Sequence, residues 1–371
     1  MKDIFKNYIY PISTLSGSII GVGFLSLPYI TLKVGILPML FYFIILTALT
    51  VFIHVILGQI ALKTPDFKRW PGFVGYYFGG FAKKIILIPM ILGSFGVLLA
   101  YLIVGSQFLS AIFSPIIGGS LLWYVMLYFA VTSFAVYFGA KAISKLEFWA
   151  IVLLLVSLFL IFVKGFSKLN FENIFNISQN ITFSNVLLPY GAILFSLCGT
   201  ALIPEVEEMV RGRKQSLKKI IIIATLIPAI IYILFILLVL GITGAETTES
   251  ALIGVKTVLG NGITSIILFI GVITTFTAFI ASGLFLKKMF TYDLKLNEKV
   301  SWMIVCLAPL LLYILGFNSF IGIVSFIGGV LLSIDGILIL LMYKKIGGRA
   351  LIVYPLMTVF ILGIIYSLAI F

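Results

Sequence analysis

Hydrophobic positions along this chain keep neither the two-residue period of a strand nor the one-sided stripe of a surface helix. They run together in long blocks separated by short polar intervals. A hydrocarbon core of about 30 Å takes about 20 helical residues to cross. Eleven blocks reach or approach that length: residues 7–32, 36–62, 84–113, 121–138, 146–163, 185–210, 220–242, 262–286, 300–315, 320–343 and 350–371, the ninth being the shortest. The pattern predicts an all-α integral membrane protein of about eleven transmembrane helices, numbered here as spans 1 to 11.

Two of the blocks are interrupted. Gly17, Gly21, Gly23 and Pro28 fall inside span 1, and Phe195 to Pro204 in span 6 repeats its Ser-x-x-Gly step (Ser18 to Gly21, Ser196 to Gly199) followed by a proline. In hydrocarbon an unpaired backbone N–H or C=O costs several kcal/mol, so a broken helix is tolerated only where it lines a cavity or is buried in protein. Packing glycines and proline kinks explain either motif alone. Their occurrence five spans apart predicts a five-plus-five inverted repeat, residues 1–163 and 185–343, with 350–371 as an added helix, and a site where the two breaks meet.

Composition agrees with a membrane protein. Of 371 residues 62% are hydrophobic and 10% charged, with a mean hydropathy of +1.26, too little polar surface for a soluble globule. The net charge of +13 is of the sign that binds nucleic acid, but its distribution follows the membrane. With the N-terminus in the cytoplasm, the outer loops hold only Lys33, Lys164, Lys168 and Lys256 of the 25 basic residues, which satisfies the positive-inside rule and puts the C-terminus outside. The first block ends in Pro28 and Tyr29 without a small-residue cleavage signature, so it is expected to be a retained span, and no soluble domain is expected. Cys198 and Cys306 lie inside spans, which argues against a disulfide framework or a cysteine metal cluster. No cofactor is implied.

The string GSIIGVGFLSLPYI at 17–30 resembles the opening helix of the amino acid/auxin permease family of the amino acid-polyamine-organocation superfamily, whose members often read G-[ST]-x-I-G-x-G-x-L-x-L-P there. LPYGAILFSLCGTALIPEVEEM at 188–209 resembles that family's interrupted sixth helix, and AYLIVG at 100–105 and the basic stretch 211–219 fit as well. The resemblance implies a leucine-transporter fold and alternating-access transport of amino acids across the cell membrane. An amino acid's carboxylate would then meet the free N–H groups of Gly21, Val22 and Gly23 and the Ser18 hydroxyl. Its ammonium would meet the carbonyls freed near Ser196, Leu197 and Cys198, with Gly199 and Thr200 completing the break. Tyr101 sits where relatives place an aromatic facing the substrate; a packing tyrosine is an equal alternative.

The coupling ion has separate candidates. Ionisable groups inside a membrane are costly unless paired or functional. Here they are Asp335 in span 10, eight residues before Tyr343, the lone His54 in span 2, and Glu205 after Pro204. Glu207 and Glu208 are expected to neutralise the 211–219 cluster, and Glu147 to pair with Lys141 or Lys145. In sodium-coupled relatives a cation lies between the first break and adjacent hydroxyls of span 8, here Thr274 and Thr275, although an alternative register leaves only Thr277. The resemblance and the buried acids favour protons over sodium. An enzyme would need a nucleophile with its base, or clustered metal ligands, and one histidine with 12 scattered acids supplies neither. A channel would need a polar pore-lining face and would show unsaturable flux.

Overall fold

The computed structural model describes residues 5–139, 143–175, 182, 185–210, 214–260 and 262–370. Every regular element among them is helical. Eight helices are long and apolar enough to cross a membrane, and the pair Asn7–Ile19 and Gly23–Val34, bent by 49°, adds a ninth candidate. Spans 5 and 9 of the sequence reading correspond to the helices Ile143–Gly165 and Glu298–Ile314.

Several boundaries differ from expectation. Span 3 runs over Gly80–Ile117, 38 residues, with Pro89 and Pro115 inside the helix. Its start is set by Gly79, whose φ of +90° suits a residue without a Cβ and separates it from a short helix, Trp70–Phe78. The polar interval before span 8 also carries a helix, Leu252–Leu259, and span 10 contains a π-turn at Ile327–Leu331. Periodicity does not reveal these pieces because each is at most nine residues long.

The long helices are apolar all round, so neighbours rather than composition decide which face is covered. On Ile36–Lys63, Met39, Phe43 and Leu46 are buried, while Leu37, Phe41 and Ile44 are more than half exposed. In water that outer stripe would be a liability; in a bilayer it is the lipid face.

Hydrogen bonds sort the connecting segments into two ends. At one, Lys63 Nζ donates to the Ile346 carbonyl at 2.9 Å, Lys345 Nζ to that of Tyr77 at 2.5 Å, and Tyr8 and Ser216 join through their hydroxyls at 2.9 Å. At the other, Asn170 N–H and Asn173 Nδ2 both donate to the Gly241 carbonyl, and Lys256 donates to that of Ala111. Each group joins only segments expected on one side of the membrane.

Between apolar helices in lipid there is no hydrophobic driving force, so close packing must hold them. The tightest approach is between the first half of span 6 and the π-turn of span 10. A Cβ on Gly328 would lie 1.8 Å from the Gly191 carbonyl oxygen, and one on Gly191 would lie 2.2 Å from that of Ser325. Tyr190 and Ser333 hydrogen-bond alongside at 2.8 Å. Because the obstructing atoms are backbone, Gly328→Ala is expected to cost about 1–3 kcal/mol or more through overpacking, read as a lower unfolding midpoint in detergent. Gly80→Ala, which meets nothing within 4 Å, is the control and should leave the midpoint unchanged; equal midpoints would contradict the close backbone approach.

Candidate functional site

The first break begins where the helix Tyr10–Ile19 ends. Ile20 turns out of the helix with ψ of 81°, Gly21 and Val22 form a bend, Gly23–Ser26 is a single 3-10 turn, and the helix resumes at Leu27–Val34. Pro28 sits in the first turn of the resumed helix, where a missing N–H costs nothing.

Span 6 repeats this order. The helix Leu188–Ser196 ends in a turn at Leu197, Cys198 and Gly199 are non-helical, Thr200–Leu202 is a 3-10 turn, and Ile203–Met209 resumes with Pro204 in its first turn. The expected breaks at Gly21–Gly23 and Cys198–Thr200 therefore fall as anticipated, except that Gly23 and Thr200 already open the 3-10 turns.

The two breaks face each other across glycines. A Cβ on Gly23 would lie 2.5 Å from the Phe195 ring and 2.9 Å from Ser196 Oγ, and one on Gly199 would lie 2.8 Å from Ile19. Gly21 looks toward span 3, where its Cβ would stand 3.6 Å from the Tyr101 hydroxyl. Tyr101 and the backbone of both breaks thus come together. Ser18 does not join them: it is exposed, and its hydroxyl donates back to the Leu15 carbonyl at 2.9 Å. The Ser196 hydroxyl likewise donates to Ala192 of its own helix, at 2.7 Å.

What satisfies the freed backbone is a pair of side chains from other spans. Tyr232, fully buried in span 7, directs its hydroxyl at the Ile19 carbonyl (2.9 Å) and the Ser196 carbonyl (3.1 Å), so one phenolic proton is shared by the ends of both first half-helices. Its ring stacks on Phe24 with centroids 5.2 Å apart. His54 accepts the Gly199 N–H at Nε2 (3.2 Å), which leaves its proton on Nδ1 to donate to Thr225 Oγ1 at 3.0 Å. The Thr225 hydroxyl passes its own proton to the Ile221 carbonyl. Tyr232 is absent from the sequence reading, although a tyrosine in the aliphatic run 220–242 is a polar group that requires a buried partner.

The other ionisable and hydroxyl candidates are placed differently: Asp335 borders the sixth-span break, and the span 8 threonines bond within their own helix. Asp335 accepts a hydrogen bond from Trp70 Nε1 at 3.0 Å and borders a cavity of about 40 Å³ together with Thr50, His54, Cys198 and Thr200. One oxygen of Glu205 is buried without a partner. Thr274 and Thr275 donate to the Gly271 carbonyl, and Thr277 to that of Thr274, so all three hydroxyls bond within span 8. Glu207 is buried and Glu208 exposed; of the 211–219 cluster expected to neutralise them, Arg211, Arg213 and Lys214 lie outside the described residues or side chains, as does the group Lys141, Lys145 and Glu147, while Lys218 and Lys219 are described. Among the described residues no cluster of His, Cys, Asp or Glu could hold a metal ion.

A second residue missed from sequence is Glu249, in the connection between spans 7 and 8. The backbone N–H groups of Phe320 and Ile321, at the start of span 10, donate to its carboxylate, and Lys33 lies near; burial outweighs both and raises its pKa above the ordinary carboxylate value. For an acid raised on folding, the contribution to stability is fully present below the unfolded value and is lost as pH rises through the raised one.

Two outcomes follow from these contacts. Tyr232→Phe should destabilise the protein by about 1–3 kcal/mol, since two buried carbonyls lose their shared donor while the stacking on Phe24 survives; an unchanged detergent unfolding midpoint would disprove the bridge. Glu249→Gln, which mimics the neutral acid, should match wild type near pH 4 and become the more stable of the two as pH rises toward about 8. Parallel curves across that range would refute the burial of this carboxyl.

The comparisons with known proteins bear on the same elements. The chain is similar to glutamine transporter 2 of Aliivibrio fischeri, at 22% identity over 330 residues that cover 85% of this chain and 83% of that one. A crystal structure of MhsT in complex with L-phenylalanine superposes with a TM-score of 0.51 at 14% identity, covering 97% of both chains, which gives the protein the leucine-transporter fold expected from its sequence. The model of the tryptophan/tyrosine permease family matches residues 6–346, and the chain belongs to that family.

Proposed function

We propose that this protein is a secondary active transporter of amino acids, working by alternating access and driven by protons. The observation that carries the reading is the apposition of two broken helices whose freed backbone is held by Tyr232 and His54. A polypeptide spends helix in a bilayer in this way where backbone dipoles are needed for a ligand. Family membership supports a permease, and the glutamine transporter and the phenylalanine complex support an amino acid as substrate.

In this reading the amino acid's carboxylate lies at the N–H groups of Val22 and of the turn from Gly23, at the positive end of the second half-helix, with Gly21, whose N–H donates to the Ile19 carbonyl at 2.8 Å, beside them. Its ammonium faces the carbonyls at the end of the first half of span 6, with Leu197, Cys198, Gly199 and Thr200 forming the wall and Tyr101 the facing aromatic. Ser18 enters only if its rotamer leaves Leu15. We read the chain as two inverted repeats, 1–163 and 185–343, with the helix 350–371 added, eleven spans in all and the N-terminus in the cytoplasm. The superfamily named by the resemblance, amino acid-polyamine-organocation, is part of the same reading. Proton coupling draws on Asp335, Glu205 and His54, and sodium coupling would instead draw on Thr274, Thr275 and Thr277.

The test is uptake of tryptophan, tyrosine, phenylalanine and glutamine by proteoliposomes under imposed gradients. Saturable accumulation of at least one of them under an inward proton gradient is expected. Linear, unsaturable flux would point to a channel, and accumulation that needs sodium at equal pH would overturn the proton. Gly21→Leu should abolish uptake in a protein that still folds and inserts, because its side chain would fill the space toward Tyr101; unchanged uptake would sink the site assignment.

A further inference from the structure

Beside the sixth-span break lies the cavity of about 40 Å³ bounded by spans 2, 6, 10 and 11. We propose that this pocket is a hydrated proton-holding site, in which Asp335 takes up the coupling proton from bound water that also hydrogen-bonds the Thr50 hydroxyl. The proposal rests on the reading of the chain as a proton-coupled transporter and locates its coupling step.

Three observations single out the pocket. Its volume suits about three or four waters, each needing about 10–15 Å³ by this measure. Thr50 is 94% buried, lines the cavity, and has no hydrogen-bond partner for its hydroxyl; Thr47, one turn away on the same helix, has none either. Asp335 lines the cavity with one oxygen engaged by Trp70, so its second oxygen is not needed for that bond, and among the described residues it forms no ion pair.

The other candidates fit the task less well. Both ring nitrogens of His54 are committed, and a proton on Nε2 would expel the Gly199 N–H and release the sixth break. Glu205, although one of its oxygens is buried without a partner, does not line this cavity. The groups that face Asp335 are few. Span 2 presents His54, span 6 presents Cys198, span 11 presents the uncharged Phe360, and the short helix presents Trp70, preceded in sequence by Lys68 and Arg69.

The step is a simple transfer. A hydrated proton gives its proton to a carboxylate oxygen, one O–H bond breaking and one forming, and leaves a neutral water. The consequence runs through Trp70. Its indole N–H bonds a charged acceptor about twice as strongly as a neutral one, so loading Asp335 loosens the helix Trp70–Phe78 from span 10. That helix is otherwise tied to the same span by Lys345 on the Tyr77 carbonyl, so the pocket links proton occupancy to one end of the bundle.

The experiment uses the full chain in proteoliposomes carrying a lumenal pH dye, with phenylalanine, tryptophan, tyrosine and glutamine as probes. Asp335→Asn should lose proton-driven accumulation and substrate-linked proton entry while keeping counterflow exchange at equal pH within about twofold of wild type. Thr50→Val, isosteric but without the hydroxyl, should lower accumulation about tenfold with exchange retained. Proton entry that persists in Asp335→Asn, or wild-type accumulation in Thr50→Val, overturns the pocket. If Asp335→Asn also loses exchange, Asp335→Glu decides: restored proton-linked accumulation supports the acid, and exchange without proton entry overturns it. A wild-type protein that accumulates none of the probes under a proton gradient refutes the transport reading itself, an outcome distinct from failure of the pocket alone.

Discussion

A peptide group released from a helix in hydrocarbon must find another partner or cost several kcal/mol, and this chain releases such groups at two places inside its spans. The remedy is economical. One phenol, on Tyr232, serves the ends of two half-helices, and one imidazole, on His54, serves the amide of Gly199. Neither partner belongs to a broken span. The breaks are therefore held by the surrounding scaffold of spans 2 and 7 and by short local bonds, Gly21 N–H to the Ile19 carbonyl, Leu25 N–H to that of Val22 and Cys198 N–H to that of Phe195, while the Val22 N–H makes none of them. A ligand that supplies both a carboxylate and an ammonium meets the same obligation from the other side.

The glycines follow from that arrangement and not the reverse. Gly23 and Gly199 are small because Phe195 and Ile19 occupy the space beside them, while Gly191 and Gly328 are small because two backbones touch. The first pair brings the breaks together; the second fixes span 6 against span 10. Gly21 differs from both, since its nearest neighbour is a tyrosine hydroxyl at ordinary contact distance, and it is the position with space in front of it.

Much of this was legible from sequence where long patterns carried it. Hydrophobic blocks mark the spans, and the two Gly- and Pro-bearing interruptions mark the breaks to within a residue or two, because Gly and Pro act locally on the backbone. The partners were not legible. Tyr232 meets Ile19 across 213 residues and His54 meets Gly199 across 145, and no local pattern encodes which polar side chain reaches which break. The side-chain direction of Ser18 was not legible either: its hydroxyl bonds the Leu15 carbonyl on its own helix, as serines in helices commonly do. The short helix Trp70–Phe78 lies in an aromatic, glycine-interrupted stretch between basic residues that is too short to read as a span, and its contact with Asp335 spans 265 residues.

These ties constrain how the protein can move. Span 6 is bonded to span 2 through His54, to span 7 through Tyr232, to span 10 through Tyr190 and the glycine contact, and to span 11 through the Leu187 amide on Tyr366. A substrate can shift such an assembly only by the difference in its affinity for the two arrangements, typically a few kcal/mol. Breaking all of these bonds at once would exceed that range. Motion must therefore either carry spans 2, 7 and 10 along with span 6 as a body or be confined to the segment beyond the break, Thr200 to Met209, which is anchored by fewer of them. The second half of span 1 and the second half of span 6, each starting from a 3-10 turn and a proline, are the parts whose displacement leaves the Tyr232 bridge intact.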